Sequence, residues 1–127
     1  GRGEGVMIST EAGEAITYAL VGLKDRGIFF VAPGRRVYEG MIVGEHCKEN
    51  DIPVNVCRAK KLTNIRTHAA DRKLFLPPAR EMGVEDALEY IEDDELVEIT
   101  PKAVRIRKIL LREGERRRQR RQAVEVE

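Results

Sequence analysis

The sequence predicts an α+β domain: an antiparallel β-sheet, open or curling toward a barrel, packed on two helices, with a basic C-terminal helix or tail. Three observations lead there. Short apolar stretches with strand-like character recur along the chain, bounded by glycine and proline. Two segments carry apolar residues at helical spacing, Ala12 to Leu23 and Val84 to Ile91. The chain has 127 residues, 42% of them hydrophobic, enough for one proper core. Residues 1–111 are therefore read as the domain and 112–127 as a basic helical or flexible tail.

Gly5 to Ser9 reads as a first strand. Thr10 is placed to cap a helix on which Ala12, Ala15, Ile16, Ala19, Leu20 and Leu23 share one face, with Gly27 as its stop. Ile28 to Ala32 is a short apolar strand, and Pro33-Gly34 suits the centre of a type II turn. The next strand runs through Val37, Tyr38, Met41, Ile42 and Val43 as an antiparallel neighbour, with Gly40 and Gly44 as bulge sites. Ile52, Val54 and Val56 alternate, and Pro53 marks that strand as an edge. Leu74-Phe75-Leu76 reads as a strand pairing back, ended by Pro77-Pro78. Val84, Ala87, Leu88 and Ile91 form the core face of the second helix, whose first turn holds Glu85 and Asp86. Leu96 to Thr100 and Val104 to Arg107 alternate on either side of Pro101-Lys102, a hairpin pattern.

Net charge is only +1, but the charges are segregated. Glu81 to Glu98 holds nine acidic residues and no basic one, whereas Lys102 to Arg121 holds ten basic residues against Glu113 and Glu115. Such blocks point to a polyanionic partner. Aromatic residues are 5% of the chain and Trp is absent, which argues against a base-stacking platform. Two cysteines without a CxxC unit fit a reduced, cytoplasmic setting better than a secreted disulfide scaffold. No signal peptide is read at the start, and the longest apolar run, Ile28 to Ala32, is too short to span a bilayer. No membrane partner is expected.

The stretch from Val56 to Lys73 carries six basic residues and one acid, Asp71, without helical or strand periodicity. Arg58, Lys60, Lys61, Arg66, Arg72 and Lys73 supply positive charge, and Thr63 and Asn64 supply hydrogen-bonding groups between them. A loop of that kind, held at both ends by a sheet, suits phosphate contact; the plainer alternative is a solvated surface loop. Arg116, Arg117, Arg118, Arg120 and Arg121 form a second candidate contact, since guanidinium groups stay charged and match phosphate geometry. The alternative there is a disordered solubilising tail.

Other constellations favour structural readings. His46, Cys47, Cys57 and His68 fit no compact zinc spacing. His46 and Cys47, adjacent on a strand, point to opposite faces and make no nucleophile–base pair; Cys47 is expected to be partly buried. Glu92-Asp93-Asp94-Glu95 is expected to be a solvated face rather than a carboxylate pair for acid–base work. Met7-Ile8 and Phe29-Phe30 are core candidates. No G-x-x-x-x-G-K-[ST] loop occurs, so the chain is not expected to bind GTP itself.

Three strings identify a family: Val37-Tyr38-Glu39-Gly40-Met41-Ile42-Val43-Gly44-Glu45-His46, Lys60-Lys61-Leu62-Thr63-Asn64, and Asp93-Asp94-Glu95-Leu96-Val97-Glu98-Ile99-Thr100-Pro101-Lys102. Together they closely resemble the C-terminal domain of the BipA/TypA family of bacterial translational GTPases, relatives of elongation factor G. The resemblance runs from about Gly5 to the arginine tail. It implies a non-catalytic fragment that docks its parent protein on the 70S ribosome, in the aminoacyl-tRNA (A) site on the large subunit. The groups contacted there would be 23S rRNA and the acceptor end of A-site tRNA. It also implies a part in stress adaptation and in assembly of the large subunit. GTP and magnesium would belong to the parent's absent GTPase domain, and the fragment needs no cofactor and is expected to be a monomer. Two alternatives from the residues alone are a general basic RNA- or DNA-binding module and a small enzyme using Cys47/His46 or Glu92–Glu95.

Overall fold

The computed structural model describes residues 1–59 and 75–126. Their element order is β1 (Val6–Ser9), β2 (Gly13–Glu14), α1 (Thr17–Leu23), β3 (Gly27–Phe29), β4 (Arg36–Val37), β5 (Met41–His46), β6 (Ile52–Val54), α2 (Val84–Tyr90), β7 (Glu95–Ile99), β8 (Val104–Lys108) and α3 (Glu113–Val126). The architecture is α+β. Six of the described strands form one sheet in the order β6-β1-β5-β8-β7, with β3 also on β5, while β2 and β4 pair separately. Among the described residues the sheet does not close into a barrel.

β5 is central because its residues serve both faces of the sheet. Met41 and Val43 enter one cluster with Met7, Phe29, Leu20 and Val54. Ile42 enters the other with Val6, Ile8, Ile106, Ala87 and Tyr90. A strand buried on both sides reads as a continuous apolar run rather than an alternation, as Val6 to Ile8 and Met41 to Val43 do. The Met7-Ile8 pair is split between the two clusters, and so is Phe29-Phe30, with Phe30 edge-on to Tyr90 at 5.5 Å between ring centroids. Both pairs are core, as the sequence suggested.

Pairing is antiparallel except between β1 and β6, which run parallel with Met7 beside Ile52 and Ser9 beside Val54. β6 is an edge, as Pro53 requires. Arg35 N–H donates to the Ala32 carbonyl at 3.1 Å and Gly34 has φ +90°, so Pro33-Gly34 is the expected turn. β7 and β8 form the expected hairpin, with Leu96 opposite Arg107 and Ile99 opposite Val104.

Four expectations need correction. The first helix starts at Thr17, not after Thr10. Ala15 instead exchanges backbone bonds with Gly34 and Arg35, which holds residues 13–15 extended, and Thr10 bonds to the Val54 carbonyl. The strand expected from Val37 to Val43 breaks at a Tyr38–Met41 turn, where Gly40 has φ +93°. Its bulge lies at Val43, since Met7 pairs with Gly44 and Ile8 with Ile42. Phe75 and Leu76 belong to no strand, while Leu74 lies outside the described residues. On α2, Leu88 is 56% exposed and Tyr90 is buried in its place. No helix among the described residues is long and apolar enough to cross a membrane.

Candidate nucleic-acid interface

Of the basic loop, Arg58 is described and exposed, lying just beyond β6. It lines a groove of about 660 Å³ with Arg26 and with apolar atoms of α1, among them Ala19, Val21 and Leu23. Lys60, Lys61, Thr63, Asn64, Arg66, Arg72 and Lys73 lie outside the described residues, as does His68.

The arginine block forms helix α3, and its members divide by role. Arg116 is only 7% exposed and donates from Nη1 to the carbonyls of Leu110 at 2.8 Å and Leu111 at 2.7 Å. Burial lowers its pKa, against the pull of Glu113 and Glu39. The Glu113 N–H donates to the Glu39 carboxylate at 3.4 Å, so the first turn of α3 is fixed to the body at two points. Glu113 and Glu115 suit the positive N-terminal end of the helix. Arg117 pairs with Glu113 one turn back at 3.6 Å. Among the described residues, no carboxylate is within ion-pair distance of Arg118, Arg120 or Arg121, all exposed. Arg117, Arg120, Arg121 and Val124 share one face of the helix. A cationic face without an apolar stripe has nothing to bury and is free to meet phosphate.

The acidic run is not uniformly solvated, which corrects the sequence reading. Glu95 is 3% exposed. It takes a two-pronged contact from the Arg2 guanidinium, one prong at 2.5 Å, the Lys108 ammonium at 2.7 Å and the Glu92 N–H at 2.9 Å. Lys108, itself 2% exposed, also meets Asp51 at 2.7 Å and Asp94 at 2.8 Å. The Arg2 guanidinium lies 5.0 Å from the centroid of the Tyr90 ring. Burial alone would push the Glu95 pKa up, but Arg2 and Lys108 outweigh it and hold the carboxyl below its usual range. Burial opposes the Lys108 charge, and the three carboxylates raise its pKa nonetheless.

Asp51, Asp94 and Glu95 bring carboxylate oxygens within 4.8 Å of one another. Lys108 Nζ sits among them as the cation, so these groups form a structural ion cluster rather than a free metal site. Nor does a nucleophile assemble at His46 and Cys47. His46 is buried, with Nδ1 2.5 Å from the Asn50 carbonyl oxygen. Cys47 is exposed rather than partly buried. Burial, followed by Glu11, raises the Cys57 thiol pKa. Tyr38 and Tyr90 donate to Glu98 and Glu45, and burial together with those bonds raises both phenols well above their ordinary range.

The sequence is matched over residues 4–113 by the family model described as the TypA/BipA C-terminal domain. The match ends at the first residue of α3. Proteins named large ribosomal subunit assembly factor BipA are close relatives. The one from Bacillus subtilis is 47% identical over 116 residues, covering 91% of this chain and 19% of that protein. The one from Salmonella typhimurium is 50% identical over 117 residues, 92% of this chain and 19% of that protein. The one from Synechocystis is 50% identical over 108 residues, 85% and 18% of the two. The chain thus spans about a fifth of the length of these curated relatives.

Proposed function

This chain belongs to the TypA/BipA C-terminal domain family, and from that premise we propose that it is the ribosome-binding end of a translational GTPase. It docks its parent on the large subunit by contacts to RNA and performs no catalysis of its own. The observation that carries this reading is near-50% identity to ribosomal assembly factors along nine-tenths of the chain. The charge layout supports it. Arg58 leads into a stretch bearing Lys60, Lys61, Arg66, Arg72 and Lys73, and Arg118, Arg120 and Arg121 of α3 stand clear of described carboxylates. Lys60 and Lys61 act as point charges on phosphate, while Thr63 and Asn64 bond to backbone or base edges.

In this reading the finer site is the A-site region, with 23S rRNA and the acceptor end of tRNA as the groups touched. GTP and magnesium belong to the parent's GTPase domain, the chain acts as a monomer in the cytoplasm, and the parent serves assembly of the large subunit and stress adaptation. Ribosome co-sedimentation across a salt series tests the proposal. Lys60→Glu with Lys61→Glu turns two attractions into repulsions and should abolish most binding. The Ala pair should lower the salt slope by roughly 0.7–0.9 for each phosphate no longer neutralised. Glu89→Lys with Asp93→Lys, both exposed on the acidic side, is the control that should not weaken binding. Unchanged binding by the Glu pair would remove the loop from the interface and leave α3 as the docking element.

A further inference from the structure

One edge of β5 carries β1, and the other carries both β3 and β8. Gly44 faces Met7 and Phe29, whereas Ile42 faces Ile8 and Ile106. Two strands sharing one edge must part somewhere. Between them lies a notch of about 30 Å³, lined by Phe30 and Val31, by Val104 and Arg105, and by Arg35 from the turn before β4.

Neither arginine at the notch has a full set of hydrogen bonds, although Arg105 pairs with Glu98 and lies 6.0 Å from the centroid of the Tyr38 ring. Among the described residues, the Arg35 side chain makes no hydrogen bond or ion pair. Arg105 Nε is buried without an acceptor at hydrogen-bond distance, the nearest carboxylate oxygen being Glu98 Oε1 at 3.6 Å. Glu98 is already shared with Arg107 at 3.7 Å and the Tyr38 hydroxyl, so one carboxylate faces two guanidinium groups. The Arg105 side chain is itself 30% exposed, so an oxygen approaching from outside can meet the unfilled Nε, and with Arg35 the notch carries more positive charge than Glu98 neutralises. The volume is that of about one water. It admits a single oxygen, not a base, and the surplus positive charge selects an anionic one.

We propose that this notch is a phosphate site, in which one non-bridging oxygen of an RNA phosphodiester is held by Arg35 and Arg105. It rests on the reading of the chain as RNA-binding, but its first test does not. The full chain is titrated with inorganic phosphate, and separately with chloride at matched ionic strength, while the arginine Nε–Hε resonances are followed by NMR. Arg105 should shift saturably with phosphate and not with chloride. Arg35→Gln, which leaves Arg105 in place, should weaken that response roughly tenfold, the loss of one charge-assisted hydrogen bond. Arg36→Gln, at an exposed neighbouring position opposite Glu14, should leave it unchanged. No saturable shift, or equal response to both salts, means that the notch holds only water and overturns the proposal.

The second test is ribosome co-sedimentation of Arg35→Gln, with Arg105→Lys as the variant that keeps charge but loses Nε. Each should weaken binding, and Arg35→Gln should lower the salt slope by roughly 0.7–0.9. If the unmodified chain binds and both variants bind equally well, the notch proposal fails while the ribosomal reading stands. If the unmodified chain does not bind at all, the ribosomal reading fails, and the phosphate titration still decides the notch.

Discussion

Lys108→Met should be among the most damaging single substitutions in this domain. Methionine nearly fills the lysine stem's volume, so little cavity forms and the effect is electrostatic. Lys108 Nζ sits 2.7 Å, 2.8 Å and 2.7 Å from Asp51, Asp94 and Glu95. Its removal leaves the Glu95 side chain, fully buried, with Arg2 as its one remaining basic partner among the described residues. Leaving one charge of a buried pair wholly unpaired costs about 3–5 kcal/mol, and because Arg2 still holds Glu95 the loss should fall toward the lower end of that range. Total domain stability is typically about 5–15 kcal/mol, so the melting temperature should fall by roughly 10–20 °C. Urea unfolding followed by circular dichroism gives the loss as a lower midpoint at constant slope. Adding Glu95→Gln removes the stranded charge, so the double variant should recover about 1–3 kcal/mol relative to the sum of the singles. A Lys108→Met loss below about 1 kcal/mol, or strict additivity in the cycle, would refute the claim that the cluster is tightly coupled. The cluster also shapes the pH profile. Glu95 has a depressed folded pKa, so its contribution is present above the ordinary 4.5 and disappears as pH falls through the lower folded value. The Lys108 pKa is raised, so its contribution is present below the ordinary 10.5 and disappears as pH rises through the higher folded value. Stability from this pair should be flat between about pH 5 and 10 and decline on both sides, and Lys108→Met should make the alkaline decline shallower, leaving the part that comes from the raised Tyr38 and Tyr90 phenols.

Leu88→Ala should change stability by less than about 0.5 kcal/mol, because that side chain is mostly exposed, whereas Tyr90→Ala should cost about 3 kcal/mol or more by chemical denaturation. Gly40→Ala should cost more than about 1 kcal/mol, since φ is +93° and a Cβ there would meet Leu111 Cα at 2.6 Å; a neutral result in a thermal melt would contradict that geometry. Truncation after Leu111 should leave the sheet folded, with a loss of about 1–2 kcal/mol from the Arg116 bonds to Leu110 and Leu111, while the salt dependence of RNA binding becomes shallower. A wholesale loss of the circular dichroism signal on truncation would instead make α3 part of the core.

Much of the fold was legible because it rests on local chemistry. Pro33-Gly34 had to turn, Pro53 had to sit on an edge, and the alternation on either side of Pro101 had to make a hairpin, since each depends on the residue's own backbone or period. The strings that identify the family were equally available in the chain itself: one runs through β5, one through the start of the β7–β8 hairpin, and Lys60 to Asn64 lies outside the described residues. What only the tertiary structure decided involves partners far apart in sequence. Helical propensity suggested a helix from Thr10, but the backbone at Ala15 is claimed by Arg35 and Gly34, which keeps that stretch extended. Helical spacing put Leu88 on the inward face, but the structure buries Tyr90 instead, against the ring of Phe30 and with its hydroxyl on the Glu45 carboxylate. Glu95 stands in a run of acids that reads as solvated, yet it is buried because the sheet brings Lys108 beside it and Arg2 onto it from 93 residues away. Burial of a charge depends on where its counter-charges end up, and that is set by how strands pair rather than by neighbours along the chain.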